Sequence, residues 1–447
     1  MSYPKYLEYK NSGLEWLGKI PAHWEIRKLK YIAKISYGVG DELDKSLISG
    51  IPLISLPNVG MDGTLDLTEL GWANLLLPKD EKLLLRKGDL LFNWRNGSSE
   101  HLGKTAYFDK DDIFTHVGFL LRIRFDLTKF QPKFFQNYIN ALRTTGFFLY
   151  ARAMVNNTFN QTELSNLQAA FPPFEEQQTI ISYIETETKK LDALIAIKKR
   201  LLVLLAEKRR ALITQAVTRG LNADAPMRDS GVEWLGEVPR HWKVVQLKFL
   251  CISLQTGPFG SQLHADEYIE NGVPVINPVH LNNGKILPDL SISIDIETAN
   301  RLSIHKLLPE DVVFARRGEL GRCGVVTDTE KGWICGTGSL RARLKNKFLI
   351  SIYLFLYVTN TGASDSLSLE SVGSTMDNLN TETLGELPVL CPPIEEQKAI
   401  VTYIETETKK LDLLKAATER TISLLKERRA SLIAAAVTGQ IAVGEQV

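Results

Sequence analysis

The chain has 447 residues, 53 Lys and Arg against 52 Asp and Glu, with 44% apolar and 23% charged residues. This balance excludes a chain disordered as a whole and argues against a histone-like basic binder, and the length suits about three domains of roughly 150 residues. No apolar run reaches the roughly 18 residues of a bilayer span and the N-terminus lacks a signal-peptide core, so a cytoplasmic location is expected. Cys251, Cys323, Cys335 and Cys391 are scattered without a C-x-x-C pair, so neither a disulfide scaffold nor a structural zinc site is expected.

In chain order, the first recognisable segment is Gly13-Leu14-Glu15-Trp16-Leu17-Gly18-Lys19-Ile20-Pro21-Ala22-His23-Trp24. It recurs 218 residues later as Gly231-Val232-Glu233-Trp234-Leu235-Gly236-Glu237-Val238-Pro239-Arg240-His241-Trp242. Over 13–33 against 231–251, 10 of 21 positions are identical. A second match begins at Pro172-Pro173-Phe174-Glu175-Glu176-Gln177, which recurs as Pro392-Pro393-Ile394-Glu395-Glu396-Gln397; here 16 of 22 positions agree over 172–193 and 392–413. The chain is therefore one unit of about 220 residues written twice.

Between the matched segments, residues 34–171 and 252–391 share only a skeleton: Gly50-Ile51-Pro52-Leu53-Ile54 with Gly272-Val273-Pro274-Val275-Ile276, and Gly88-Asp89-Leu90-Leu91-Phe92 with Glu310-Asp311-Val312-Val313-Phe314. Short apolar runs there (Leu83-Leu84-Leu85, Leu90-Leu91-Phe92, Val117 to Leu121) are broken by turn residues and predict strands in a mixed α and β module. Helices are predicted over 132–150 and 349–360.

The proline pair starts a long helix, because proline suits a helix start and not its interior, and the two glutamates behind it complement the helix dipole. Apolar residues then recur every seven positions, Ile184, Leu191, Leu205 and Leu212, with Leu194 and Leu201 as the flanking row and Lys198 interrupting. The second copy repeats this at Ile404, Leu411, Leu425 and Leu432, interrupted at Thr418. Such stripes predict a coiled-coil seam, and a helix over 175–217 would be about 60 Å long. The expected architecture is α+β: a recognition module over 1–171, a long helix over 172–222, a second module over 223–391 and a second helix over 392–447. The two helices pair as an antiparallel coiled coil that holds the modules at opposite ends; the alternative is that each helix folds back on its own module.

Chemical motifs are imitated rather than met. Gly97 to Thr105 ends in Gly103-Lys104-Thr105 like a phosphate loop, but five residues separate its glycines where four are needed, and the second copy lacks Gly-Lys. Phe171-Pro172-Pro173-Phe174 lacks the leading Asn or Asp of an amino-methyltransferase tetrapeptide. Glu187-Thr188-Lys189 resembles the tail of a metal-dependent nuclease motif but falls on the long helix. The seven histidines show no metal-ligand spacing.

Polar loops remain, and they fall in the segments that differ between copies. The candidate DNA-binding residues are Asn93, Arg95, Asn96, Lys104, Arg152, Asn156, Asn157, Thr158 and Asn160 in the first module. In the second they are Gln255, Thr256, Ser261, Gln262, Arg316, Arg317, Arg322, Ser374 and Thr375. Arg can donate two hydrogen bonds to guanine and Asn can pair with adenine. Each loop taken singly also fits a plain surface turn. The clusters Lys198-Lys199-Arg200 and Lys208-Arg209-Arg210 fit phosphate contacts or a solvated helix face.

The doubled order of variable module, Pro-Pro-x-Glu-Glu-Gln and long helix resembles the specificity subunit of type I restriction–modification systems. So do Glu-Trp-Leu-Gly-x-x-Pro-x-His-Trp and Glu207-Lys208-Arg209-Arg210-Ala211-Leu212-Ile213. The resemblance covers essentially the whole chain. It implies a non-catalytic subunit whose two target recognition domains each read half of a bipartite asymmetric DNA site. It implies helices that space the halves and dock two methyltransferase subunits, with restriction subunits joining the full complex. S-adenosylmethionine, ATP and magnesium would then sit on those partners and none on this chain. Two other classes stay open at this point, a stand-alone DNA-acting enzyme with cryptic motifs and a two-module protein-binding scaffold.

Overall fold

The computed structural model describes residues 4–40, 49–95, 101–150, 158–371 and 379–444. The chain forms two units, residues 1–199 with 420–447, and residues 200–419. Each unit therefore combines one variable module, the first part of the long helix that follows it, and the last part of the other long helix.

In the first unit, β1 (Glu25–Lys28), β2 (Ala33–Tyr37), β3 (Ile51–Ile54), β4 (Gly71–Ala73), β5 (Leu90–Asn93), β6 (Thr105–Tyr107), β7 (Thr115–His116) and β8 (Leu120–Phe125) precede α1 (Pro132–Thr144). Then come α2 (Gln161–Asn166) and β9 (Gln168–Phe171). The main sheet runs β2-β8-β5-β6, all antiparallel, and a second sheet runs β4-β3-β7 with β3 and β7 parallel. Strand alternation divides the interior: Leu90, Phe92, Leu121 and Ile123 join α1 and the long helices, whereas Leu91 and Leu120 face the second sheet.

The second unit repeats the plan. Here β10 (Lys243–Gln246), β11 (Cys251–Thr256), β12 (Val273–Ile276), β13 (Val312–Ala315), β14 (Cys323–Val325), β15 (Ile334–Cys335) and β16 (Ser339–Leu344) precede α3 (Ser351–Asn360). After them come α4 (Thr381–Glu386) and β17 (Pro388–Cys391). The order β11-β16-β13-β14 reproduces the main sheet, and β12 pairs parallel with β15 as β3 does with β7.

The retained skeleton has a physical basis. Asp89, its side chain 1% exposed, accepts two hydrogen bonds from Arg124, at 2.7 and 2.6 Å, and Asp311 does the same with Arg343 at 2.8 Å each. The arginine two residues earlier donates to backbone carbonyls, Arg122 to those of Lys82 and Leu84, Arg341 to those of Ile304 and Lys306. This corrects one expectation: Leu83-Leu84-Leu85 is no strand. The Leu84 carbonyl is taken by Arg122 and Arg124 and the Leu83 carbonyl by the Thr115 hydroxyl, and only a short 3-10 turn, Glu81–Leu83, forms. Ahead of the aspartate, Gly88 has φ +97°, and Glu310, at the same place, adopts φ +71° while its carboxylate accepts from Ser351 Oγ.

The long helices span Phe174–Arg219 and Ile394–Val437. In the first unit Ile180, Ile181 and Ile184 share a core with Leu432, Ala436 and Val437, and further along Arg429 Nε lies 3.0 Å from Asp192. Residue numbers rise on one helix as they fall on the other, so the halves run antiparallel. The second unit returns the arrangement with Ile400, Val401 and Ile404 against Ile213, Ala216 and Val217, and with Arg209 3.7 Å from Asp412. The seven-residue row is confirmed, but its partner row differs from expectation. Leu194 is 39% exposed, and the inward residues are Thr188 and Ile195, four residues after Ile184 and Leu191. Thr418 does not interrupt the seam; it is buried and its hydroxyl donates to Leu414 O at 2.7 Å.

The two near-constant motifs meet at the start of each long helix. Gln177 Nε2 donates to Pro172 O and its Oε1 accepts from Gln131 N, just before α1. Gln397 likewise joins Pro392 O to Ile350 N, just before α3. The preceding glutamate holds the His-Trp pair. Glu176 accepts from Trp24 Nε1 at 3.1 Å and Tyr6 Oη at 2.7 Å, with His23 Nε2 at 2.7 Å, while Glu396 meets His241 Nε2 at 2.9 Å. Each tryptophan also abuts the glycine that ends the other helix, Gly439 (φ +73°) on Trp24 and Gly220 (φ +76°) on Trp242.

Two outcomes are expected. Asp89→Ala and Asp311→Ala each leave a buried arginine pair without its carboxylate and should cost about 3 kcal/mol in denaturant unfolding, whereas a loss below about 1 kcal/mol would contradict a structural role. Glu176→Ala should release hydrogen exchange in residues 4–40 more than Glu396→Ala does in residues 226–256. Glu176 serves three side chains, whereas Trp242 Nε1 has no hydrogen-bond partner among the described residues; equal effects would show that the extra bonds contribute nothing.

Candidate DNA-recognition surface

The site is built where the central strand of each main sheet ends. Beyond β5 the chain is pinned from three sides. Trp94 Nε1 donates to Gly118 O at 2.7 Å, its ring meets Tyr37 edge-on at 5.5 Å, and its carbonyl accepts from Phe159 N at 2.7 Å. Arg95 bridges to Thr158 through the backbone, and its guanidinium lies 5.7 Å from the centre of the Phe119 ring. Two loops distant in sequence thus become one surface, with Tyr37 and Phe119 as an aromatic platform. The sequence reading missed both platform residues, and their placement at the ends of β2 and β8 was the available signal.

The second unit makes the same turn differently. Arg316 stands where Trp94 stands. Its N–H donates to Gly338 O at 2.9 Å, its carbonyl accepts from Leu379 N at 2.9 Å, and its Nε returns a bond to Leu379 O at 2.9 Å. Burial and the neighbouring Arg317 lower the pKa of Arg316. Arg317, at the position of Arg95, is exposed.

The remaining candidates divide. Asn93 and Lys104 are corrected: Asn93 is 0% exposed and points into the core, and buried Lys104 donates through Nζ to Val59 O at 2.6 Å. Burial, then Arg143, lowers the Lys104 pKa. Asn160 is spent as the cap of α2, accepting from Glu163 N at 3.1 Å. Gln255 and Thr256 lie in β11, half-buried, and the Thr256 carbonyl faces His305 Nδ1 at 3.0 Å. Gln262 is exposed next to Arg301, which donates to its carbonyl at 2.8 Å. Half-buried Arg322 lies 3.8 Å from Glu319. Asn96, Arg152, Asn156, Asn157, Ser374 and Thr375, and the side chain of Ser261, lie outside the described residues.

The side chains of His116 and Asn93 are both fully buried without hydrogen-bond partners among the described residues. Burial, and then Arg122 and Arg124, push the His116 pKa down to about 3, so the ring is neutral at physiological pH. Ala315 and Cys335 occupy these places in the second unit, joined in one apolar cluster. No helix of the described residues is long and apolar enough to cross a membrane.

The chain matches the family model for the type I restriction modification DNA specificity domain twice, over residues 21–205 and 239–423. It is 25% identical over 425 residues to the putative type I restriction enzyme MjaX specificity subunit of Methanocaldococcus jannaschii, covering 92% of this chain and 94% of that one. With the EcoKI specificity subunit of Escherichia coli K12 it shares 21% identity over 208 residues, 46% of this chain and 44% of that one. Its fold is that of the HsdS subunit from Thermoanaerobacter tengcongensis, at a TM-score of 0.58 and 16% identity over 94% of this chain and 98% of that one. A chain from a study of type I R-M complex assembly and conformational transition gives a TM-score of 0.66 at the same identity and coverage. With both modules and the start of both long helices inside the matched segments, the chain belongs to the type I restriction–modification DNA specificity family.

Proposed function

We propose that each module reads one half of a bipartite, asymmetric DNA site through the surface at the end of its central strand, and that partner subunits perform the chemistry there. One observation carries this reading: a frame repeated down to its buried Asp–Arg pairs gives the same exits different surroundings, Trp94 with Tyr37 and Phe119 in one module and Arg316 in the other, beside an arginine common to both. An identical frame suits one kind of partner bound twice, and differing exits suit two different half-sites. Two methyltransferase subunits would dock on the near-constant helices and bring S-adenosylmethionine. Restriction subunits would bring ATP and magnesium, and the interval between half-sites would follow from the long helices. The chain itself would be a non-catalytic reader in the cytoplasm.

The test is methylation mapping across a genome in cells that express the chain with its cognate methyltransferase subunit, against cells lacking only this chain. A single two-part motif that depends on the chain is expected. Chain-dependent methylation without sequence preference, or methyl transfer by the isolated chain, would defeat the proposal.

A further inference from the structure

We propose that Arg95 and Arg317 each read a guanine, one in each half of the target. This rests on the two-module reading above and goes beyond it by naming the base and the residue. The two arginines occupy equivalent places, two residues beyond the ends of β5 and β13. In each, the preceding residue is clamped by the loop before α2 or α4, through Phe159 N to Trp94 O and Leu379 N to Arg316 O. The backbone leading to each guanidinium is therefore held at the residue before it.

Their chemistry sets them apart from the other arginines of the same sheets. Arg122, Arg124, Arg316, Arg341 and Arg343 all spend their donors on interior carbonyls or on Asp89 and Asp311. Arg95 and Arg317 are exposed, and among the described residues neither pairs with a carboxylate nor donates a side-chain hydrogen bond. Arg95 also lies over the Phe119 ring, 5.7 Å from its centre, a contact that restricts the guanidinium. A phosphate also accepts a bidentate arginine but tolerates lysine as a point charge, and its contact carries no base preference. A flat, oriented fork of five donors matches the paired O6 and N7 acceptors of guanine in the major groove.

Arg95→Gln, Arg95→Lys, Arg317→Gln and Arg317→Lys are compared by the same methylation mapping, in cells carrying the whole complex and with chain abundance matched. Each Arg95 variant should relax discrimination about tenfold at one G·C pair in one half of the motif and leave the other half unchanged, with the Arg317 variants doing the reverse. The lysine variants separate a base reader from a phosphate contact, because lysine keeps the charge and loses the fork. An unchanged motif, methylated at the native level or uniformly less, overturns the proposal, as does a native motif with no G·C pair in one of its halves. If the native chain directs no motif at all, the two-module reading fails first and the guanine assignment falls with it.

Discussion

Everything else in each unit depends on how the variable module is clamped to the first turn of its long helix. Two adjacent side chains do this. The glutamine enters the junction and ties the proline-pair carbonyl to the residue that opens the module's own helix, Gln131 in one copy and Ile350 in the other. The glutamate beside it meets the histidine from the start of the unit in both copies, and in the first also the tryptophan. Because these groups are partly or wholly desolvated, losing one partner leaves the other unpaired, at a cost of about 1–3 kcal/mol per group. At the glutamine the penalty acts on both copies alike, and at the glutamate it weighs more on the first, where three side chains share the carboxylate. It explains why Pro-Pro-x-Glu-Glu-Gln and His-Trp survive in a chain whose modules have otherwise diverged.

The same economy separates what the sequence showed from what it concealed. The repeat, the long helices and their antiparallel pairing were legible, since a seven-residue period and a proline-capped start are local signals. The inner row of the seam was not. Leu194 and Thr188 both lie one step from the main row, and hydrophobicity favours the leucine, yet geometry turns the threonine inward, where its hydroxyl bonds to Ile184 O at 2.7 Å. The run Leu83 to Leu85 misled for a similar reason. An apolar triplet reads as a strand, but here side chains from distant parts of the chain take its carbonyls, Thr115 that of Leu83 and Arg122 and Arg124 that of Leu84. The misassigned recognition residues Asn93 and Lys104 are polar groups that tertiary contacts bury, and no local pattern marks a buried asparagine. That Arg95 and Arg317 stand exposed at a strand exit was legible because each follows an apolar strand core, although the clamping of the residue before each was not.

Comparison of the copies shows which features are frame and which are content. Asp89 and Asp311, with their four arginines, are frame: the bonds recur atom for atom. The turn after the central strand is frame in its backbone and content in its side chains. A tryptophan indole closes it onto Gly118 in one module, and an arginine closes it onto Leu379 in the other. Two chemically unrelated side chains satisfy the same backbone path, so the path does not require one particular side chain.

This independence bears on how such a surface diversifies. A residue that both shapes a loop and reads a base cannot change its reading without risking its loop. Here the tasks fall on successive residues: Trp94 or Arg316 packs onto the turn, and Arg95 or Arg317 is exposed beyond it. The deeper layer follows the same rule. Asn93 and His116 in one module and Ala315 and Cys335 in the other fill the space beneath the turn with opposite polarity, yet both sheets keep their strand order. Substitution at the outward position meets solvent rather than core and carries little folding cost. The strand exit is therefore where this fold can change what it recognises while the clamp, the Asp–Arg pairs and the helix seam stay as they are.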